Sequence, residues 1–261
     1  MSAHRPPDVT AWLLQAATPT IRALTLQHLL GHSPESPAVQ EARRVIMQEG
    51  PVPAILAEQE GPGYWISDRS YYSPKYRSTH WSMLLLVEHQ ADSADGRVRR
   101  GAAYMLQATA AEIAEWLREG RRGLSCFWGN LLRYALHAGL HERPEVALIA
   151  QFLVRDALEG TWECRHNWDL PCAWGAVRGL WGLAALPAAR KGPDVQQAVQ
   201  RGIAFLLEEH RLHPPDYPPA DQVSRLWRSV NFPLFYQVDT LFVLRVLDEV
   251  GALAHPGAGA A

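Results

Sequence analysis

"CFWGNLLRYALHAGL", residues 126–140, and "CAWGAVRGLWGLAAL", residues 172–186, are two copies of one pattern. Each opens on a cysteine, reaches a tryptophan two residues later, places a glycine after it, and continues as an apolar helix. "HWSMLLLVEHQ", residues 80–90, carries the same tryptophan followed by a small residue, so Trp81, Trp128 and Trp174 are spaced 47 and 46 residues apart. Periods of that size mark an array of helical hairpins. The three segments are apolar on nearly every side, as expected of helices buried all round. "TPTIRALTLQHLLG" (18–31) is an earlier, weaker copy, and "FPLFYQVDTLFVLRVLDEVGAL" (232–253) is a later one.

A second kind of helix alternates with these. "RVRRGAAYMLQAT" (97–109), "PEVALIAQFLVRDAL" (144–158) and "DVQQAVQRGIAFLLEEH" (194–210) each have a charged stripe for water and an apolar stripe for a neighbour. Periodicity and the flanking prolines and glycines predict helices near 20–30, 37–48, 78–90, 97–117, 125–139, 144–158, 171–186, 194–210 and 233–251. Strand signals are almost absent. Alternating buried and amphipathic helices fit a closed ring or an open solenoid. The inner helices keep hardly any face for an open groove, which favours the ring. The expectation is an all-α, (α/α) toroid of about five hairpins, a single domain over 1–261 with a Pro-rich insertion around 211–232.

Composition agrees with a large folded unit. Of 261 residues, 48% are hydrophobic and 20% charged, and the net charge of -2 offers no field to attract nucleic acid. Three cysteines in a chain of this length do not suggest a disulfide scaffold, so a reduced, cytoplasmic setting is expected. The N-terminal stretch lacks a signal-peptide pattern, and no transmembrane segment is expected.

A family resemblance rests on "QEGPGYW" (Gln59, Gly63, Trp65), which matches the Gln-x-x-x-Gly-x-Trp element of terpene-cyclase and prenyltransferase repeats. "DALEGTW" (Asp156, Gly160, Trp162) is a degenerate copy. Over roughly residues 50 to 251 the chain resembles the toroids of squalene-type cyclases and protein prenyltransferases. The resemblance implies a ligand pocket at one end of the inner helices and an enzyme acting on a hydrophobic, isoprenoid-class substrate. The sequence has neither an Asp-x-Asp-Asp acid motif nor an Asp-Asp-x-x-Asp magnesium motif. The alternatives are a non-catalytic binding protein for an apolar small molecule or peptide, and a helical-repeat scaffold.

In a ring, the N-termini of the inner helices share one rim. That brings His80, Cys126 and Cys172 toward one another, with Cys164, His166 and Asp169 in the adjoining loop. Thiolate, imidazole and carboxylate form a zinc ligand set, and helix N-termini favour thiolates. Protein prenyltransferases hold zinc with an Asp-x-Cys pair, and "DLPCAW" (Asp169, Cys172) is similar with one residue more between them. Cysteine also packs as a small buried hydrophobe, so the equivalence of Cys126 and Cys172 has a purely structural reading. Asp239 is a candidate acid or base inside the last helix, or the partner of an arginine such as Arg178 or Arg133. Tyr72, Lys75 and Arg77 precede an inner helix, where aromatics with cations fit an anion such as a diphosphate. They fit a packed loop equally well. Trp81, Trp128 and Trp174 line an apolar substrate cavity in the functional reading and the core in the structural one. The sequence leaves the oligomeric state open.

Overall fold

The computed structural model describes residues 8–160, 162–167, 169–210 and 229–260. It is mostly helical. Among the described residues, strand is confined to one two-stranded pair and an isolated bridge between Glu60 and Tyr64. The helices are α1 (Val9–Leu14), α2 (Pro19–Leu24), α3 (Pro37–Ile46), α4 (Pro51–Ala57), α5 (Thr79–Glu88), α6 (Gly96–Arg118), α7 (Ser125–His137), α8 (Pro144–Glu159), α9 (Ala173–Ala184), α10 (Pro193–Ala204) and α11 (Thr240–Glu249). Wider π-type turns extend α2 over Thr25–Leu29 and α10 over Phe205–Glu209. Strand β1 (Glu163–Cys164) pairs antiparallel with β2 (Leu170–Pro171). Most of the Pro-rich insertion lies outside the described residues.

Local chemistry sets these boundaries. Proline occupies the first position of α2, α3, α4, α8 and α10, where its missing N–H is not needed. Gly139 (φ 71°) and Gly251 (φ 73°) follow α7 and α11 in the left-handed region, which releases the chain from the helix. Asp95 stands just before α6, accepts the Arg97 N–H at 2.7 Å and pairs with the Arg97 guanidinium. Two short helices escape the periodicity analysis. α1 is capped by Asp8, and α4 has too few turns to establish a period.

The chain gathers into two compact units, residues up to Gly101 and residues from Ala102 onward. In the first, α5 is buried from Thr79 to Leu84 and again at Leu86 and Val87. The Trp65 ring packs where a side chain on Gly101 would stand, and its Nε1 donates to the Ile55 carbonyl at 2.7 Å. Gln59 Nε2 donates to the Arg97 carbonyl at 2.8 Å. The Gln59–Trp65 motif therefore ties the loop after α4 to the first turns of α6.

In the second unit, α7 packs against α9 and α9 against α11, while α8 and α10 pack on each other. α9 is buried at every residue from Ala173 to Leu183. α8 buries Glu145 in its first turn and the stripe Val146, Ile149, Phe152, Leu153, Asp156 and Ala157. This is the expected alternation of buried and amphipathic helices. α7 and α9 touch backbone to backbone: a Cβ on Gly129 would stand 2.2 Å from the Arg178 carbonyl oxygen, and one on Gly182 2.6 Å from that of Gly129. The repeated small residue after the tryptophan thus has a packing cause in α7.

The last helix departs from expectation. It begins at Thr240 and not near Pro233, because Asp239 takes the N-cap position. Asp239 is accordingly not within the helix. Its carboxylate accepts the N–H groups of Phe242 at 2.8 Å and Asn231 at 2.9 Å. Asp239→Ala should cost about 1 kcal/mol, read as a fall of a few degrees in thermal midpoint; an unchanged midpoint would contradict the capping role.

Candidate functional site

The second unit assembles its three cysteines around the starts of α7 and α9. A buried carboxylate fixes the entry to α7. Asp156, near the end of α8, accepts the Gly123 N–H at 3.2 Å and the Ser125 hydroxyl. Gly123 (φ 87°) lies directly under the β1 backbone, where a Cβ would meet the Glu163 carbonyl oxygen at 3.0 Å. The start of α7 and the β1–β2 hairpin are therefore in contact, which brings Cys126 toward Cys164.

The hairpin aligns the other two thiols. Cys164 is opposite Leu170 in the antiparallel register, and Cys172 N–H extends the ladder to the Trp162 carbonyl at 3.0 Å. Residues two apart share a face of a strand, so Cys164 and Cys172 stand diagonally on one face. The turn between them is held by Asp169 N–H to the Cys164 carbonyl at 3.0 Å and by Asn167 Nδ2 to the Pro171 carbonyl at 2.9 Å. Cys172 is the N-cap of α9, and its sulfur accepts the Gly175 N–H at 3.4 Å. Trp162 closes the arrangement by laying its ring over Gly179, as Trp65 does over Gly101. The two motif copies thus share a tryptophan-on-glycine contact, while their polar residues bind different partners.

All three thiols are free, with Cys164 and Cys172 buried and Cys126 half-buried. Cys164 is drawn down to about 5, first by the hydrogen bond that the Cys172 thiol donates to it. Burial opposes this, while the His166 and Leu124 backbone N–H groups and the His166 charge assist it. Cys172 is pushed up correspondingly, by its bond to Cys164 and by burial. Cys126 is held up at about 12, first by desolvation and then by the charge of Cys164, with Arg178 acting in the other direction. Within the cluster Cys164 is thus drawn down while Cys172 and Cys126 are pushed up.

The other residues singled out by sequence divide between the two units. His166 and Asp169 lie exposed in the hairpin turn, whereas Cys164 and Cys172 are buried beneath it. Among the described residues, no three His, Cys, Asp or Glu side chains are arranged to hold a metal ion. The Asp169–Cys172 pair implied by the resemblance spans an exposed carboxylate in the hairpin turn and a buried thiol beneath it. His80 belongs to the first unit, buried edge-on against Trp81 at 4.9 Å, and its backbone N–H donates to the Tyr71 carbonyl at 2.9 Å. Tyr72 packs on Trp81 with ring centroids 4.7 Å apart, and the Trp81 Nε1 donates to its carbonyl at 2.8 Å. Lys75 and Arg77 are exposed, with Lys75 Nζ 5.9 Å from the Tyr72 ring centroid. Trp128 packs with Trp116, Phe127 and Phe152, and Trp174 with Tyr236.

Sequence reasoning missed the Asp156–Ser125 pair. The signal present was an aspartate at an interior position of α8's apolar stripe, which requires a buried partner. Burial is the first cause raising the Asp156 carboxyl, so its ionised form is disfavoured in the fold. A raised acid stabilises the fold below its unfolded value and loses that contribution as pH rises through its folded value. The thermal midpoint of the wild type relative to Asp156→Asn should therefore fall as pH rises from 4 toward neutrality; a rise would contradict the assignment.

Comparison with protein-family models, curated proteins and solved structures returns no match for the chain. Among the described residues, no helix is long and apolar enough to cross a membrane.

Proposed function

We propose that the chain is a prenyltransferase- and terpene-cyclase-like enzyme on an (α/α) toroid scaffold, acting on a hydrophobic, isoprenoid-class substrate. The observation that carries this reading is the meeting of the repeat-equivalent Cys126 and Cys172 with Cys164 where α7 and α9 begin. A packing role accounts for one small residue at a helix crossing. It gives no reason for a third thiol, Cys164, to be drawn down beside them. The alternation of buried α7 and α9 with amphipathic α8 and α10 supports the scaffold.

The chemistry assigned to Cys164 is that of a base. A thiolate in an apolar surrounding is a stronger electrostatic partner than one in water. It takes a proton from the carbon next to the cation left when the substrate's C–O bond breaks and diphosphate departs with the electron pair. The electrons of that C–H bond become the new double bond, and Cys164 leaves the step as a thiol. Cys172 keeps the anion on Cys164 before the step.

The test is turnover of farnesyl diphosphate, read as released pyrophosphate and as hydrocarbon product. The wild type should turn it over, and Cys164→Ala should lose about 100-fold or more in kcat. Equal rates for both would remove the role of Cys164. Tight binding of an apolar ligand without turnover would favour the binding-protein reading.

A further inference from the structure

The geometry points to Cys164 and Cys172 as a disulfide-forming pair, closed by a small peroxide to tie the β1–β2 hairpin to the first turn of α9. This goes beyond the proposed transfer chemistry and does not depend on turnover. The two residues share one face of the hairpin, diagonally across the ladder. Each thiol is the first influence on the other's ionisation, lowering Cys164 and raising Cys172. Reaching the ~2.05 Å of an S–S bond from a diagonal position asks for side-chain rotation and for backbone movement of β1, a strand only two residues long. Arg165, His166, Asp169 and Leu170 around the turn are exposed, which leaves the hairpin free to make that shift.

The order of attack follows from the local environment. Cys164, 7% exposed, is the more accessible of the pair and accepts the backbone N–H groups of His166 and Leu124. Its thiolate attacks one peroxide oxygen, the O–O bond breaks, and hydroxide leaves, giving a sulfenic acid on Cys164. The Cys172 sulfur then attacks the Cys164 sulfur. The S–O bond breaks, and the departing hydroxide takes the Cys172 proton as water. Two thiols are oxidised by two electrons, and one peroxide is reduced to two waters. Cys126 stays outside the bond, since it belongs to α7 rather than the hairpin.

The test treats the folded full-length chain with hydrogen peroxide, then blocks remaining thiols and maps peptides by mass spectrometry. The wild type should fall from three free thiols to one, with Cys164 linked to Cys172. Cys126→Ser should form the same link at a comparable rate, while Cys172→Ser should stop at sulfenic acid on Cys164. A link from Cys126 to either partner, or sulfinic acid on wild-type Cys164 without a disulfide, would overturn the inference. So would retention of all three thiols. Because no substrate is used, failure here is distinct from failure of the transfer reaction.

Discussion

Gly129→Val should destabilise the second unit by about 3 kcal/mol or more, lowering the thermal midpoint by roughly 6–12 °C. A Cβ at this position would sit 2.2 Å from the Arg178 carbonyl oxygen and 2.5 Å from its carbonyl carbon, both backbone atoms of α9. Neither can rotate aside as a flexible side chain could. The only relief is to part α7 from α9, which uncovers two faces that are buried along most of their length. Gly182, on the α9 side, meets the Gly129 backbone in return, so Gly182→Val should act in the same direction. Thermal unfolding checks both, and a midpoint within a degree of wild type would show that the crossing is looser than described.

Arg178→Ala is expected to cost a similar amount, about 3–5 kcal/mol. Arg178 is fully buried in α9. Its Nη2 donates to the Gln237 carbonyl at 2.7 Å, and its guanidinium stands 3.9 Å from the centroid of the Phe242 ring and 5.2 Å from that of Trp181. Truncation opens a cavity, removes both ring contacts and strips the Gln237 carbonyl of its donor. It also removes a positive charge that favours the Cys126 thiolate. Cys126 should then alkylate more slowly at alkaline pH than in the wild type, which denaturant unfolding alone would not reveal.

The helices were legible because their chemistry is local. Proline at the first position and a period near 3.6 mark the starts of α8 and α10, and Gly160 marks the end of α8. The last helix was misplaced for the same reason. Pro233 resembles a helix start, yet Asp239 accepts the Phe242 N–H as N-cap of α11 and fixes the start at Thr240, seven residues after the proline. The repeated Cys-x-Trp pattern correctly singled out Cys126 and Cys172. What it could not specify was the role of Cys164. That depends on the antiparallel register of a hairpin two residues wide, which carries no periodic signal. Nor could it show that His166 and Asp169 turn outward while the thiols turn in. His166 and Asp169 lie in the turn between β1 and β2, where no periodic pattern assigns a side chain to a face.

The account rests on Cys164 being the anion of the cluster. Thiolate absorbance near 240 nm, followed against pH on the reduced native protein, measures this directly. The wild type should show one thiolate already formed at neutral pH and titrating near 5, absent in Cys164→Ser and retained in Cys126→Ser. A wild type whose three thiols all ionise only at alkaline pH, or a low-pH thiolate that survives Cys164→Ser, would contradict it.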